Sequence, residues 1–328
     1  MQLNQNEFLA NLLNLIVNVR VNRTSEGRRI NDLLDAVMVD NIEYGDGKAL
    51  ITVDTLPVKD YSKQSSLLTA QEPTVDEQFL TTTDKKYIEV TINRYLMKGA
   101  FANEESLSEC IATIESMLEK TKNIYNYKKV VAAYQGWAPI DPTDPAGTKQ
   151  VNVGTQTKEI ELIDTTGMTG NELFESQRVN AIKIYQTIRE TSLAMQAPSR
   201  KYNELQYEEM YNAEDLNLII NSAFDTEVNT YAYASLLNSD KLNNIALYKK
   251  SIIIPTEQFT GDVSKLIGWL ASDKKYQIAV RLMTVASFFD GSNLNLNEFL
   301  HIWLISGFAR GLACTKFTAK FIKPTAAA

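Results

Sequence analysis

The side chains best suited to chemistry are scarce in this chain, which has one histidine, His301, and two cysteines, Cys110 and Cys314. Imidazole and thiolate groups carry out much of the acid–base, nucleophilic and metal-binding chemistry of proteins. His301 lies between Leu300 and Ile302 in an aromatic-rich segment with no second histidine or cysteine nearby. The cysteines share no metal-ligand spacing. We therefore predict a core or interface histidine and two buried thiols in a reducing compartment.

Adjacent carboxylates are the next candidates for acid–base chemistry, and they occur at Glu104–Glu105 and Glu208–Glu209. The first pair stands at a predicted helix N-terminus, where negative charge is favourable, and a structural role is predicted for both pairs. The sequence contains no phosphate-binding glycine loop, no dinucleotide fingerprint, no zinc-protease motif and no serine-hydrolase motif. We predict no catalytic, cofactor-binding or metal-binding residues, and hence no enzyme.

Two lysines in a polar stretch, Lys59 and Lys63, allow one further hypothesis. A lysine can form an isopeptide bond with an asparagine of a neighbouring chain, but no partner asparagine or activating carboxylate is evident here. Both lysines are therefore predicted to be solvated.

The bulk composition is that of a folded, acidic protein of 328 residues, with 44% apolar and 22% charged residues. No apolar stretch reaches the roughly 20 residues that a membrane-spanning helix needs, so no membrane partner is expected. The net charge of −7 argues against a protein that grips DNA through its phosphates. It is compatible with a container whose acidic wall repels the nucleic acid inside it.

The N-terminal segment is predicted to be an amphipathic helix, since its apolar residues recur at helical spacing. The first basic residue is Arg20, so the segment lacks the early positive charge of a secretory signal. Its apolar residues are Phe8, Leu9, Leu12, Leu13, Ile16 and Val19.

A long polar arm follows, and it contains few apolar residues with which to form a core of its own. Strands are predicted at Lys48–Val58 and Tyr87–Leu96, and the residues between them are mostly polar. We predict that these two strands form a long hairpin, which cannot bury enough of itself to stand alone. Its few apolar anchors are predicted to contact neighbouring subunits, and they are Pro57, Tyr61, Leu67, Leu68 and Phe79.

Two long helices and a compact strand–helix–strand unit complete the predicted elements. Ser106 and Glu109 form a capping box before a helix over 106–134, and Thr169 with Glu172 opens a second that ends before Pro198. Buried strands are predicted around 215–220 and 251–255, with a helix between them. Periodicity does not separate strand from helix in the apolar segment 276–322.

This order of parts resembles the Hong Kong 97-type major capsid proteins of tailed bacteriophages, in particular the branch found in small podoviruses. Three stretches carry the resemblance: KKYIEVTINRYLMKGAFANEESL (85–107), EDLNLIINS (214–222) and FFDGSNLNLNEFLHIW (288–303). The resemblance implies an α+β Hong Kong 97-like fold. It implies an N-terminal arm (1–47), an extended loop (48–103), a P domain with a spine helix (104–198), an A domain (199–269) and a return to the P domain (270–328).

The family also implies a function. The chain would assemble with itself into an icosahedral or prolate head shell around double-stranded DNA, in the virion, after assembly in the bacterial cytoplasm. A portal protein, together with scaffolding or head-decoration proteins, would be its other partners, with packaged DNA only in non-specific proximity. Two alternatives remain open at this point: an encapsulin-type nanocompartment shell protein, and an α+β enzyme using carboxylate chemistry.

Overall fold

The computed structural model describes residues 31–39, 47–58, 72–93, 104–139, 156–233, 247–290 and 295–323. The predicted N-terminal amphipathic helix lies outside these residues. The chain divides into two compact units, which are described separately. The first comprises Met1–Ala49, Phe79–Lys129 and Tyr276–Phe308, and the second comprises Leu50–Gln78, Val130–Lys275 and Ala309–Ala328.

The first unit is built on an antiparallel sheet of three long strands in the order β3-β9-β8, which are Thr82–Asn93, Asn295–Phe308 and Tyr276–Asp290. A short helix, α1 (Asp32–Asp35), precedes a segment that hydrogen-bonds to Ile278 at the start of β8. Leu33 and Leu34 of α1 are buried. The apolar segment 276–322, which periodicity could not assign to strand or helix, therefore consists mainly of strands: it contains β8, β9 and a third strand, Cys314–Ile322.

The long helix α2 (Glu104–Gly136) has 33 residues, so it is roughly 50 Å long at 1.5 Å per residue. Within the first unit, the Tyr125 hydroxyl donates to Asp84 of β3 at 2.9 Å, and Lys129 pairs with the same carboxylate. Burial, together with this hydrogen bond, raises the pKa of Tyr125 to about 12. The predicted helix is confirmed, but it begins at Glu104, so Ser106 lies within its first turn and is not the N-cap that the predicted capping box requires. The side chains of Ser106 and Glu109 lie outside the described part.

The second unit contains a mixed sheet of five strands. In spatial order they are β4 (Thr157–Ile163), β10 (Cys314–Ile322), β7 (Leu266–Ser272), β5 (Leu216–Asn221) and β6 (Lys250–Ile254). β10 is parallel to β4 and antiparallel to β7, whereas β5 is parallel to β6 and antiparallel to β7. Every residue of β5 and β7 is buried, as expected for strands covered on both faces.

Helix α3 (Gly170–Gln196) packs its apolar face into the core of this unit through Ala181, Ile184 and Met195. The amide of the buried Asn180 holds the end of β4, because it accepts from the Ile163 N–H at 2.7 Å and donates to its carbonyl at 2.9 Å. The helix lies where it was predicted. The predicted capping box is wrong, since Thr169 occupies the N-cap without a side-chain hydrogen bond.

The predicted strand–helix–strand unit is confirmed. Helix α4 (Ser222–Glu227) follows β5 directly and continues as a wider helical segment, Val228–Tyr233. The side chain of Asn221 caps α4 by accepting from the backbone N–H of Ala223 at 3.3 Å. β6 then returns parallel to β5. None of the described helices is long and apolar enough to cross a membrane.

The predicted pairing within the polar arm is wrong. The first strand, β1 (Lys48–Val53), pairs with β2 (Val75–Leu80) in a separate two-stranded sheet. The strand predicted at Tyr87–Leu96 is β3, which begins earlier and pairs with β9. The hairpin is therefore shorter than predicted, and we call β1, β2 and the residues between them the β1–β2 arm.

Candidate subunit interface

The two strands of the β1–β2 arm expose a row of apolar side chains. Burial alternates along both strands, so that successive residues point to opposite faces. Ile51 and Val53 on β1 are 66% and 49% exposed, and Val75 and Phe79 on β2 are 53% and 63% exposed. Glu77 lies between these last two on the same face. An apolar row that faces away from its own chain is typical of a surface covered by a partner.

The chain remains exposed after β1 ends. Pro57 is exposed, and its neighbours Leu56 and Val58 are 53% and 100% exposed. Two of the five predicted contact residues, Pro57 and Phe79, thus lie in the described part of the arm and face outward. The other three, Tyr61, Leu67 and Leu68, lie outside the described residues, as do Lys59 and Lys63.

The base of the arm is fixed by Asp54, the residue after β1. Its carboxylate accepts the backbone N–H of Glu208 at 3.0 Å and pairs with Arg200 at 3.0 Å. The hydrogen bond from Glu208, aided by Arg200, lowers the pKa of Asp54. Arg200 also contacts the Glu208 carboxylate at 3.5 Å, so the predicted structural role of Glu208 agrees with the contacts observed here. Burial, with the Asp54 charge nearby, raises the pKa of Glu209.

The inner face of the arm is seated on the loop between β9 and β10. The side chain of Gln78 accepts the backbone N–H of Arg310 at 3.0 Å. A Cβ added to Gly311 would lie 2.5 Å from the hydroxyl oxygen of Thr52, so glycine is needed where the loop meets β1. The carbonyl of Gly311 accepts the Tyr211 hydroxyl at 3.1 Å. One face of the arm is therefore attached to its own chain, and the other is free.

A buried ion pair holds these supporting loops together. Lys275 is 1% exposed, and its ammonium donates to Glu204 at 3.0 Å and to the carbonyls of Ala309 and Leu312 at 3.0 and 2.9 Å. The indole N–H of Trp137 donates to the same carboxylate oxygen at 3.4 Å. All three ammonium hydrogens have acceptors, so the pair is stable as a unit although each charge alone would be costly to bury.

A second exposed surface lies on the three-stranded sheet, on the face opposite α2. Because α2 contacts Asp84, and the next residue along β3 points to the other face, Lys85 and Tyr87 lie on the open side. Register places Trp303 beside Lys85 and His301 beside Tyr87. We call this surface the aromatic face; it comprises Lys85, Tyr87, Phe288, Phe299, His301 and Trp303.

The aromatic face is open to solvent in the single chain. Tyr87 and Phe288 are 61% and 65% exposed, and Phe299, His301 and Trp303 are half-buried. The Tyr87 ring lies 5.8 Å from Phe299 and 6.0 Å from His301. His301 is therefore not a core residue. The alternation along β8 and β9 places these aromatic residues on the exposed side, and periodicity in the sequence alone did not reveal it.

No group of three or more histidine, cysteine, aspartate or glutamate side chains among the described residues could hold a metal ion. Cys314 is fully buried, and burial raises the pKa of its thiol to about 12, so it is unreactive at neutral pH. The side chains of Cys110, Glu104 and Glu105 lie outside the described part. Two exposed surfaces, the outward row of the β1–β2 arm and the aromatic face, are what the geometry offers.

Solved structures of phage capsids share the fold. The capsid of Staphylococcus phage Andhra is 12% identical, with a TM-score of 0.55 over 90% of this chain and 84% of that chain. The capsid of cyanophage P-SCSP1u (12% identity, TM-score 0.52) covers 90% of each chain, and the mature capsid of bacteriophage PhiM1 (10%, 0.50) does the same. The chain thus has the Hong Kong 97-like α+β fold that these phage capsids share.

More particularly, the chain belongs to the Phi29-like phage major capsid protein family, whose family model matches residues 1–312. No curated protein matches it. The resemblance recognised in the three quoted stretches is confirmed at the level of this family. The protein forms the capsid shell from many copies of itself and is a structural component of the virion. Neither the encapsulin-type alternative nor the enzyme alternative is supported.

Proposed function

We propose that the β1–β2 arm joins subunits in the shell, and that its outward residues contact the neighbouring copy. The observation that supports this is the row formed by Ile51, Val53, Val75 and Phe79, which is exposed while the opposite face is attached through Asp54. Pro57, Tyr61, Leu67 and Leu68 belong to the same arm and take the same role. Burial of such a row on assembly favours association.

The domain assignment is part of the proposal. Residues 1–47 are the N-terminal arm, 48–103 the extended loop, 104–198 and 270–328 the P domain, and 199–269 the A domain. By sequence, β3 falls within this extended loop, although it pairs with β9 in the sheet of the first unit. The proposed A domain contains β5, α4, β6 and part of β7, whose five-stranded sheet also includes β4 and β10.

The shell encloses the double-stranded DNA genome in an icosahedral or prolate head, assembled in the host cytoplasm. A portal protein, and scaffolding or decoration proteins, are its further partners. The overall charge of −7 supports a wall that does not bind the packaged DNA tightly. The subunit has no catalytic role, in keeping with its structural family.

The experiment compares Phe79→Glu and Val53→Glu with Phe79→Leu. Each chain is produced with the other head proteins, and closed particles are counted by electron microscopy after sedimentation. Placing a carboxylate in the outward row should abolish closed particles while the thermal unfolding of the subunit changes little, because the row is largely exposed in the single chain. Phe79→Leu, which keeps an apolar side chain, should assemble normally. Normal particles from both glutamate variants would refute the proposal.

A further inference from the structure

The helix α2 exposes apolar side chains and buries polar ones along the part that packs on the three-stranded sheet. Met117 and Ile124 are 43% and 48% exposed. Lys122 and Asn126 are buried, on the side where Tyr125 contacts β3. A helix that packs only on its own sheet has the reverse arrangement, with its polar side chains in solvent. The exposed apolar residues therefore indicate that a further partner covers the outer side of α2.

The exposed residues on this side form a single line along the helix, which we call the outer row of α2. They are spaced three or four residues apart, so they lie on one side of the helix over roughly 16 Å. The Thr121 hydroxyl donates to the Met117 carbonyl at 2.8 Å, so its hydrogen is used within the helix. The outer row comprises Met117, Lys120, Thr121, Ile124 and Lys128.

The outer row is positively charged, although the chain as a whole has a net charge of −7. Lys120 and Lys128 are both exposed, and neither forms an ion pair with another described residue. The sequence over 116–129 contains four lysines and a single acidic residue, Glu119. A partner that matches this surface in charge is therefore acidic.

The spacing of the row favours a protein helix over nucleic acid. Double-stranded DNA is held through many phosphate contacts, whereas the row offers two lysines with Ile124 between them. Single strands are held on aromatic rings, and the row contains none. Apolar residues flanked by lysines at helical spacing instead match an amphipathic helix whose apolar stripe is edged by acidic residues.

We propose that the outer row of α2 binds an acidic amphipathic helix of a second head protein. The apolar stripe of that helix covers Met117 and Ile124, and its carboxylates pair with Lys120 and Lys128. The inference rests on the proposed function, which includes scaffolding or decoration proteins as partners, and it names the surface and the chemistry of one such contact. The row and the aromatic face lie on opposite sides of the sheet, so both can be covered at once.

The test places a photoreactive benzophenone at the centre of the row, on Thr121→Cys. The variant is assembled with the other head proteins, particles without DNA are purified and illuminated, and the linked peptide is sequenced by mass spectrometry. The expected peptide comes from a different head protein, has a net negative charge, and carries apolar residues three or four positions apart. Ser116→Cys, also exposed on α2, replaces Thr121→Cys if that variant forms no particles.

Two controls accompany this experiment. The unmodified chain, treated with the same reagent, accounts for labelling of Cys110 and Cys314, and the label on the exposed Lys201→Cys should not link the same peptide. Normal particles in which the label on α2 links only another copy of this chain, or no protein, would overturn the inference. So would a label that links only DNA in filled particles. Failure of the unmodified chain to form particles would instead count against the proposed function.

Charge reversal tests the same contact without a label. Lys120→Glu/Lys128→Glu should lower the amount of the linked head protein that copurifies with the subunit by about tenfold, while the thermal unfolding of the subunit changes little. Lys201→Glu/Lys265→Glu makes the same change in charge at two other exposed lysines and should retain that protein. Equal losses from the two double variants would contradict the inference.

The apolar part of the contact has its own matched pair. Ile124→Glu should release the same head protein, because it places a carboxylate against the acidic helix. Ile124→Leu keeps an apolar side chain and should retain it. Retention by Ile124→Glu would show that the outer row is not the binding surface.

Discussion

Arg200 and Asp54 form an ion pair at 3.0 Å although they lie 146 residues apart in the sequence. The pair attaches the first residue after β1 to the loop before β5, and Glu208 adds a backbone hydrogen bond to the same carboxylate. The arm therefore projects from a fixed base rather than from a free loop. This attachment determines which face of the arm remains available to another subunit.

The Asp54 attachment should depend on pH in a defined direction. The pKa of Asp54 is lowered in the folded subunit, so its contribution to stability is complete above the unfolded-state pKa. That contribution is lost as the pH falls below about 4 and through the folded-state value. Asp54→Asn should cost roughly 1 kcal/mol at pH 7. Thermal unfolding measured from pH 7 to pH 3 should show the two proteins converging at low pH; a constant difference would contradict the assignment.

Removing one partner of the buried ion pair should be strongly destabilising. Lys275→Met leaves the Glu204 carboxylate uncompensated, and a loss of about 3–5 kcal/mol in the free energy of unfolding is expected. The double variant Lys275→Met/Glu204→Leu should recover much of that loss, because no charge then remains buried. Denaturant unfolding measures both. Equal losses in the single and double variants would show that the pair acts through packing alone.

Gly268 and Gly136 form a matched pair for testing whether a close approach of neighbouring backbone excludes a side chain. A Cβ at Gly268 in β7 would lie 2.3 Å from the carbonyl oxygen of Ile219 in the adjacent strand, where only backbone movement can relieve the clash. Gly268→Ala should therefore cost several kcal/mol or prevent folding. At Gly136, the last residue of α2, a Cβ meets nothing within 4 Å. Gly136→Ala should leave the melting temperature unchanged or slightly higher, and an equal loss from both variants would contradict the reasoning.

One buried amide should be replaceable with a gain in stability. Asn126 in α2 is fully buried, and neither its amide nitrogen nor its oxygen has a hydrogen-bond partner among the described residues. Asn126→Leu removes this desolvation cost with a side chain that branches at the same carbon, so the free energy of unfolding should rise by about 1–3 kcal/mol. Asn126→Asp, which buries a charge at the same place, should lower it. Destabilisation by leucine would indicate that the amide has a partner after all.

Local signals were sufficient to predict the helices. Apolar spacing and stop signals predicted α2 and α3 to within a few residues, because those signals lie close together in the chain. The capping boxes were less accurate, since Ser106 lies inside α2 and Thr169 makes no side-chain hydrogen bond at the N-cap of α3. The strand–helix–strand unit was predicted for the same reason. The resemblance in three short stretches then indicated the family, which composition and motif searches alone could not do.

Such local signals could not predict which strands pair when they are far apart in the sequence. β3 was assigned to the polar arm because it follows the arm in sequence, yet its partner β9 begins at Asn295, about two hundred residues later. The attachment of Asp54 and the burial of Lys275 depend on loops that are equally remote, and isolated charged residues are ordinarily predicted to be exposed. The residues of the aromatic face could be placed on one side of the sheet only from the register of its three strands.

The most direct test of the account is a cryo-electron microscopy map of particles assembled from this chain. We predict closed shells in which the β1–β2 arm of each copy crosses to the adjacent copy, with the row of Ile51, Val53 and Val75 buried there. Particles in which every arm contacts only its own chain, or a preparation that yields only discrete monomers under all assembly conditions, would contradict the account.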